Sequence, residues 1–407
     1  SIIIDGYDEE KGTRADFSGL SGTGPFVKNI IVQNCLNGFF PSRGTILYDC
    51  IARDCIADGF HSYASGSQTY LRCKSLNNGG MGINFYYTLT NGIIEDCDII
   101  GNGDIGVYGP RNVKNSRICD NRKYGIDIVN TNAIEISDGV ISGNDSIGIL
   151  LELHVDLISN NIIGLTADQK KPNPNGYGIY VLSSLVSIDS VKNNIISGNR
   201  LDGVRDFSSR GGMDNFVGNY IGTNSFFDTD PSLGNGGNGF VRGISSDSYS
   251  LGGDVSNNYF GNNGGYGVLS VNTFGTETYY FHGTTIMKDC YFGITPDGYP
   301  MPNGKGGLKY GCEKLTLKNC HIGYNEGPGL DYPRENGGDL TVEGGDFIYN
   351  KENGIKYNGS RSLSLFLNVK NAVFDSNGEE AISFWGDTPV ANTLFSDNKF
   401  LHTNKAY

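Results

Sequence analysis

The sequence is poor in proline, in positive charge and in long apolar runs. Its 12 prolines are too few for a collagen or a proline-rich linker. No apolar run approaches the ~20 residues that a membrane-spanning helix needs, so we expect no membrane span. The net charge is −13, and nucleic-acid binders need a basic face. We therefore expect no nucleic-acid partner.

No Cys-x-x-Cys pair occurs among the nine cysteines, so the sequence offers no zinc motif. No cofactor motif is present either, and we expect neither a metal nor a cofactor. Several cysteines occupy a slot that elsewhere holds asparagine, as Asp96-Cys97 does beside Asn160-Asn161. A position that accepts Cys or Asn predicts an inward ladder of small side chains, with the cysteines free and buried.

Glycine is abundant, at 60 residues, roughly twice its ordinary usage. Many glycines precede an apolar residue at a recurring place, about two dozen residues apart in most cases. We expect a tight turn with positive φ at these marker glycines, just before a strand. They are Gly38, Gly59, Gly82, Gly106, Gly125, Gly148, Gly178, Gly203, Gly239, Gly267, Gly307, Gly329 and Gly354, with Ala381 in the last unit.

Residues 121–151 contain one complete repeat. Tyr124–Ile128 is followed by the apolar runs 134–136 and 140–141, and Ile147–Leu151 then starts the next copy. Such a unit cannot bury its apolar face alone and must stack on copies of itself. The pattern predicts an all-β, single-stranded parallel β-helix of roughly fifteen coils with three short strands per coil. We expect a single domain over residues 1–407, with terminal caps that lie outside this sequence.

Alternation along the strand predicts that the second residue after each marker glycine points outward. Stacked coils make these residues neighbours in space, in one row. The row contains Phe40, His61, Asn84, Tyr108, Asp127, Leu150, Tyr180, Arg205, Val241, Leu269, Lys309, Asp331, Lys356 and Ser383. A second row, two residues further on, contains Tyr63, Tyr86, Pro110, Val129, Glu152, Leu182 and Phe207.

The coil repeat, with the segments DCIADGF (54–60), NNGGMGI (77–83) and IIGNGDIGV (99–107), resembles the right-handed parallel β-helix proteins of the pectin-lyase-like superfamily. The resemblance covers roughly residues 26–400 and implies a right-handed helix. That superfamily includes polysaccharide lyases, hydrolases, uronan epimerases and phage tailspikes, as well as adhesins without enzyme activity. It implies an extracellular or virion-associated protein with a polysaccharide partner. It also allows a homotrimer, because tailspikes of this kind associate in threes.

Signatures of individual enzyme families are missing. Asn130-Thr131-Asn132 lacks the aspartate of galacturonan hydrolases, and no RIK follows. Phe40 and Ser42 stand where alginate epimerases carry a catalytic Asp and His. We therefore expect a carbohydrate-active enzyme, more in the manner of a glycoside hydrolase than of a lyase or epimerase. The alternative is a non-catalytic fibre, adhesin or surface-layer component in which the helix is a spacer.

The outward rows supply the candidate site. Aromatic side chains beside polar groups suit sugars, because rings cover the apolar faces of pyranoses and polar groups fix the hydroxyls. The expected substrate-binding residues are His61, Tyr63, Asn84, Tyr86, Tyr108, Tyr180 and Arg205. The expected catalytic pair is Asp127 and Glu152.

Asp127 and Glu152 should lie one coil and two residues apart, with their Cα atoms about 8 Å apart. Inverting glycosidases separate their carboxyl groups by ~6.5–9.5 Å to admit a water. We expect Glu152 to be the acid, its pKa raised by its neighbours Leu150 and Leu182, and Asp127 to be the base.

A lyase would instead need a base and cations that neutralise a uronate. His61, Tyr63, Arg43 and Arg72 are the candidates for those roles. Further along the first row, Lys309, Asp331 and Lys356 alternate in charge, and we expect them to form a structural ladder.

Overall fold

The computed structural model is built almost entirely of short parallel strands. It describes residues 1–9, 12–22, 24–62, 66–86, 91–182, 186–208, 212–242, 253–270, 272–274, 277–279, 281–334, 338–359, 366–385 and 392–402. It divides into two compact units, unit 1 (residues 1–168 and 173–183) and unit 2 (residues 169–172 and 184–407). The single domain over 1–407 stays a prediction.

In both units the chain passes through three parallel sheets in turn. We call them sheet 1, whose strands follow the marker residues, sheet 2 and sheet 3. Each unit contributes seven or eight strands to each sheet. This construction confirms the all-β parallel helix with three strands per coil and about fifteen coils.

The strands of unit 1 run parallel to their neighbours within each sheet. Sheet 1 contains Leu20–Ser21, Phe39–Phe40, Phe60–Ser62, Ile83–Phe85, Val107–Tyr108, Tyr124–Ile128, Ile147–Leu151 and Tyr177–Val181. Sheet 2 contains Phe26–Lys28, Ile46–Tyr48, Gln68–Leu71, Gly92–Glu95, Asn112–Lys114, Ala133–Ser137 and Val155–Ser159. Sheet 3 contains Ile2–Asp5, Ile30–Gln33, Ile51–Arg53, Lys74–Leu76, Asp98–Ile100, Arg117–Cys119, Val140–Ser142 and Ile162–Ile163. Tyr7–Asp8 and Thr13–Arg14 form a separate antiparallel pair.

Unit 2 repeats this construction. Sheet 1 contains Val204–Asp206, Phe240–Arg242, Tyr266–Ser270, Gly306–Tyr310, Leu330–Arg334, Ile355–Gly359 and Ile382–Trp385. Sheet 2 contains Ile188–Lys192, Met213–Val217, Asp254–Ser256, Phe281–Lys288, Cys312–Lys318, Asp339–Glu343, Phe366–Lys370 and Asn392–Ser396. Sheet 3 contains Ile195–Ile196, Tyr220–Ile221, Tyr259–Phe260, Tyr291–Phe292, His321–Gly323, Asp346–Ile348, Val373–Asp375 and Lys399–Leu401. An antiparallel pair, Asn272–Phe274 with Glu277–Tyr279, and a 3₁₀ turn, Pro231–Leu233, are added to it.

Tight turns separate the sheets, and their sequences explain why the strands are short. The turn from sheet 2 to sheet 3 holds one residue in the left-handed region, such as Asp96 (φ 56°) or Asn160 (φ 55°). Asn and Asp tolerate this region better than other non-glycine residues. The next residue, Cys97 or Asn161, points into the core and is buried. All nine cysteines are free and buried, which confirms the prediction for this slot.

A ladder of buried asparagines lines the turn from sheet 3 to sheet 1. In unit 1 it consists of Asn78, Asn102, Asn121, Asn144 and Asn175. The Nδ2 of each of the first four donates to Oδ1 of the asparagine in the following coil, at 2.9–3.0 Å. Unit 2 has its own ladder of Asn199, Asn235, Asn263, Asn303, Asn325, Asn350 and Asn377 with the same bond. These bonds satisfy amides that would otherwise be costly to bury.

The marker glycines are required for a reason other than the one that we expected. No marker glycine is among the glycines with positive φ in the described part of the chain, so the expected left-handed turn is wrong. They instead stack directly on one another. A Cβ added to Gly125 would lie 2.6 Å from the carbonyl oxygen of Gly148, and one added to Gly106 would lie 2.7 Å from that of Gly125. Glycine is needed because the backbones of successive coils approach too closely for a side chain.

The core contains one feature that alternation alone did not predict. The third residue after a marker glycine points inward, and in two coils of unit 2 that residue is charged. Arg242 Nη1 lies 2.5 Å from Asp206 Oδ2, and both side chains are at most 1% exposed. Asp206 Oδ1 also accepts hydrogen bonds from the backbone N–H and hydroxyl of Ser208. An ion pair at this depth persists only because its hydrogen bonds are also satisfied.

The stacking of the marker glycines can be tested with a pair of alanine variants in unit 1. Gly125→Ala places a methyl against the Gly148 carbonyl and should lower the free energy of unfolding by about 1–3 kcal/mol. Gly24→Ala is the control, since a Cβ there has nothing within 4 Å, and its effect should stay within about 0.5 kcal/mol. Chemical denaturation measures both, and equal effects would contradict the stacking argument.

The buried ion pair of unit 2 gives a second prediction. Arg242→Met leaves the Asp206 carboxylate buried without its cation and should cost about 3–5 kcal/mol of stability. The double variant Asp206→Leu/Arg242→Met removes both charges and should recover most of that loss. Thermal and denaturant unfolding of both variants measure this. A double variant as unstable as Arg242→Met would contradict the electrostatic origin of the loss.

Candidate functional site

The outward face of sheet 1 in unit 1 carries most of the predicted site residues. His61 pairs in register with Asn84, Asn84 with Tyr108, and Tyr108 with Asp127. Asp127 in turn pairs with Leu150, and Leu150 with Tyr180. The first row is thus in the predicted register throughout unit 1.

The structure places the other predicted residues as follows. Tyr86 is 55% exposed, and Tyr108 accepts a hydrogen bond from Asn130 Nδ2 at 3.4 Å. Tyr180 packs edge-on against Tyr177, with ring centroids 5.1 Å apart. Tyr63 lies outside the described residues. Arg205 belongs to unit 2, where its Nη1 lies 3.2 Å from Asp202 Oδ2 and its guanidinium lies over the Phe207 ring.

Asp127 is buried on this outward face, with only 5% of its surface exposed. It lies between Ile126 and Ile128, whose side chains are in the core. Its Oδ1 has no hydrogen-bond partner among the described residues. Burial, and then the negative charge of Glu152, raises the pKa of Asp127 to about 7. A carboxyl with a pKa near 7 is protonated in about half of the molecules at neutral pH and can therefore donate a proton there.

Glu152 lies where the sequence predicted it. The register pairs Ile128 with Leu151, and the Glu152 amide donates to Ile128 O at 3.1 Å. Glu152 is half-buried, one coil and two residues from Asp127, which puts the two Cα atoms about 8 Å apart. Because the raised pKa is that of Asp127, we revise the expected roles. Asp127 becomes the better candidate for the acid, and Glu152 for the base.

Two further charged groups surround this pair. Lys123 Nζ lies 3.9 Å from Asp104 Oδ1 and 5.0 Å from the centre of the Tyr124 ring. The Lys123 charge works to lower the pKa of Asp127, and the Asp104 charge works to raise it. The ion pair between them weakens both effects, so burial remains the main cause of the raised pKa.

A second polar cluster lies two to three coils away on the same face. His61 Nδ1 lies 2.6 Å from Asp58 Oδ2, and Asn84 Nδ2 donates to the same oxygen at 2.8 Å. The Met81 amide donates to Asp58 Oδ1 at 2.8 Å. Burial works to raise the pKa of Asp58, but these three hydrogen bonds outweigh it and hold the pKa below its ordinary value. The Phe40 ring stacks on His61 at 5.2 Å.

Our sequence analysis missed Asp58 because it considered only the outward strand positions. Asp58 lies in the turn just before Gly59, three residues before His61. An acidic residue at that distance across a tight turn can reach back to the strand side chain, and this spacing was the available signal.

The cations proposed for a lyase do not converge on this face. Arg72 donates to both carboxylate oxygens of Asp49, at 2.9 and 2.8 Å, in the turn between sheets 2 and 3. It therefore cannot serve a site on sheet 1, and its proposed role is wrong. Arg43 is exposed in the turn that leads from sheet 1 to sheet 2.

In unit 2, the first row contains one ion pair of the predicted charge ladder. Lys309 Nζ lies 3.0 Å from Asp331 Oδ2, and Asp331 pairs in register with Lys356. Ion pairs of this kind stabilise stacked strands by a few tenths to about 1 kcal/mol each. The Lys309–Asp331 contact confirms that these two residues pair, and the structural role of the ladder stays a prediction.

The raised pKa of Asp127 makes stability depend on pH. Below pH 3.8, its ordinary pKa, the folded and unfolded chains both hold the proton. As the pH rises toward 7, the unfolded chain ionises first, so Asp127 increasingly destabilises the fold, by on the order of a few kcal/mol. Asp127→Asn cannot ionise and should be more stable than the parent at pH 8 but similar to it at pH 4. Denaturant unfolding at both pH values measures this, and a gap that is the same at both would contradict the raised pKa.

Comparisons with known proteins concern the fold. Residues 20–163 match the sequence model of the family described as "Right handed beta helix region". No curated protein sequence matches the chain. Among the described residues, no helix has the length and hydropathy needed to cross a membrane.

Solved structures with a similar course include tailspike protein 3 of bacteriophage CBA120 (11% identity, TM-score 0.36, 96% of this chain and 51% of that one). The A-module of the Azotobacter vinelandii mannuronan C-5 epimerase AlgE4 is similar at 11% identity and TM-score 0.35, over 100% of this chain and 95% of that one. The Agl-KA catalytic domain has 13% identity and TM-score 0.25, over 96% of this chain and 61% of that one. The chain spans about half the length of the tailspike chain. The parallel sheets, together with the match of residues 20–163, show that the fold is a right-handed parallel β-helix.

Proposed function

We propose that this protein cleaves a polysaccharide on the outward face of sheet 1 in unit 1, with Asp127 as general acid and Glu152 as general base. The supporting observation is the state of Asp127. It is a buried carboxyl, one oxygen of which has no partner among the residues that the structure describes, and its pKa is raised to about 7 beside a second carboxyl. Two carboxyl groups whose surroundings differ in this way are typical of acid–base pairs in glycosidases.

The reaction that we propose for the pair is hydrolysis of a glycosidic bond. Asp127 gives its proton to the leaving glycosidic oxygen, while Glu152 takes a proton from a water that attacks the anomeric carbon from the other side. The two Cα atoms are about 8 Å apart, and inversion of the anomeric centre requires the carboxyl groups themselves to be ~6.5–9.5 Å apart with a water between them. The aromatic and polar side chains of the same face, Tyr86, Tyr108 and Tyr180 among them, would hold the neighbouring sugars. An extracellular or virion location and a trimer remain part of this proposal.

Substitution of the pair tests the proposal. Asp127→Asn and Glu152→Gln should each lower kcat at least about 100-fold, measured as new reducing ends over a panel of plant, algal and bacterial polysaccharides. Glu95→Gln is the control, because Glu95 is exposed on sheet 2, and it should retain the parent rate. The parent rate should fall as the pH rises through about 7, where the acid loses its proton. Full activity of Asp127→Asn would contradict the assignment of Asp127 as the general acid. Absence of product from every glycan would favour the non-catalytic fibre.

A further inference from the structure

The cluster of Asp58, His61 and Asn84 has no part in the proposed cleavage step, although it lies on the same face. Asp58 is 9% exposed and Asn84 is 4% exposed, so both are built into the surface. The hydrogen bonds of the cluster fix the orientation of the Asn84 amide. Its Nδ2 must face the Asp58 carboxylate, to which it donates, and its Oδ1 therefore points the other way.

One buried hydrogen-bond acceptor of this cluster has no donor among the described residues. Asp58 already accepts from His61 Nδ1, Asn84 Nδ2 and the Met81 amide. Asn84 Oδ1 is buried and has no partner among the described residues. A buried acceptor without a donor costs free energy, and a ligand that brings a donor to it recovers that cost.

Asp127 Oδ1 is a second buried oxygen without a partner in the described part of the chain. It lies in the same row as Asn84, two coils further, because Asn84 pairs with Tyr108 and Tyr108 with Asp127. Two coil steps correspond to about 10 Å along the helix axis. A sugar chain that runs along the axis would present hydroxyl groups to both oxygens at once.

In the two outward rows of unit 1, none of the described residues is a lysine or an arginine. Of the cations at the borders of this face, Lys123 pairs with Asp104, whereas Arg43 and Arg111 lie in the turns that lead from sheet 1 to sheet 2. The sequence segments 63–65 and 87–90, which follow two of the sheet 1 strands, contain no charged residue. An acidic group on the ligand would therefore meet Asp58, Glu152 and unpaired acceptor oxygens, with like charge opposing it.

We propose that the polysaccharide held here carries no carboxylate, sulfate or phosphate groups, and that Asn84 Oδ1 accepts a hydrogen bond from one of its hydroxyls. This proposal rests on the proposed function, because it names the substrate class of the same surface. It makes Asn84 a substrate-binding residue and assigns Asp58 the task of holding the Asn84 amide and the His61 ring in place.

Matched glycans test the substrate class without any change to the protein. The parent protein and the Asp127→Asn variant are titrated with neutral soluble polysaccharides and with the same polysaccharides oxidised to carboxylates at C6. Each neutral glycan that binds should bind at least about tenfold more tightly than its oxidised form at low salt, and the difference should narrow as salt screens the charges. Tighter binding of an oxidised form or of a natural uronan would overturn the proposal.

A variant tests the role of Asn84. Asn84→Ala should weaken binding of the neutral glycan about tenfold, whereas Asn112→Ala on sheet 2, our control, should leave affinity within about twofold. Unfolding curves for both variants establish that they fold. Unchanged affinity in a folded Asn84→Ala variant would refute the role.

The possible results separate this proposal from the proposed function. Binding without cleavage would contradict catalysis but support the substrate class. Cleavage of uronans alone would contradict the substrate class but support catalysis. No binding to any glycan would overturn both.

Discussion

One hydrogen bond, repeated from coil to coil, holds the register on which the rest of the structure depends. In each asparagine ladder the side-chain amide donates to the next carbonyl oxygen, as Asn121 Nδ2 does to Asn144 Oδ1 at 2.9 Å. The same oxygen accepts from the backbone N–H of Asn121, while Asn121 Nδ2 also reaches Ile99 O in the preceding coil. Because the ladder is buried, a slip of one residue would leave these groups without partners and would cost far more than an exposed contact could return.

The register between coils also determines which side chains meet at the candidate site. A slip by one residue would turn Asp127 into the core and Ile126 or Ile128 out of it. The asparagine ladder fixes the strand through side-chain hydrogen bonds, and the closely stacked marker glycines fix it through contact between backbones. That rigidity lets Asp127 remain buried at an energetic cost, and it sets the distance to Glu152 by coil spacing rather than by flexible loops.

The sequence predicted the path of the backbone better than the contacts and chemistry of individual side chains. Period-2 alternation and the repeat were enough for three strands per coil, for the row from His61 to Tyr180 and for the buried cysteines. They could not explain the marker glycines. A glycine that is needed because two backbones approach closely looks the same in the sequence as a glycine that is needed for a left-handed turn. Nor could alternation reveal that Asp58 reaches His61 across a turn, or that two inward positions hold Asp206 and Arg242. Such pairs depend on three-dimensional contacts between residues whose types alone do not specify a partner.

The contrast between Asp127 and Asp331 separates a candidate site from scaffold. Both occupy the first row of sheet 1, in units 1 and 2, and both are nearly buried, at 5% and 6% exposure. Asp331 has the Lys309 ammonium 3.0 Å from its carboxylate, so its charge is compensated by its neighbour in the row. Asp127 has Tyr108 and Leu150 as its row neighbours and the charge of Glu152 close by. A fold that can neutralise a buried acid with a lysine one coil away, and does so in unit 2, does not do so at Asp127. The uncompensated acid is therefore the position at which the structure retains a cost to stability, and such costs persist where a chemical task requires them.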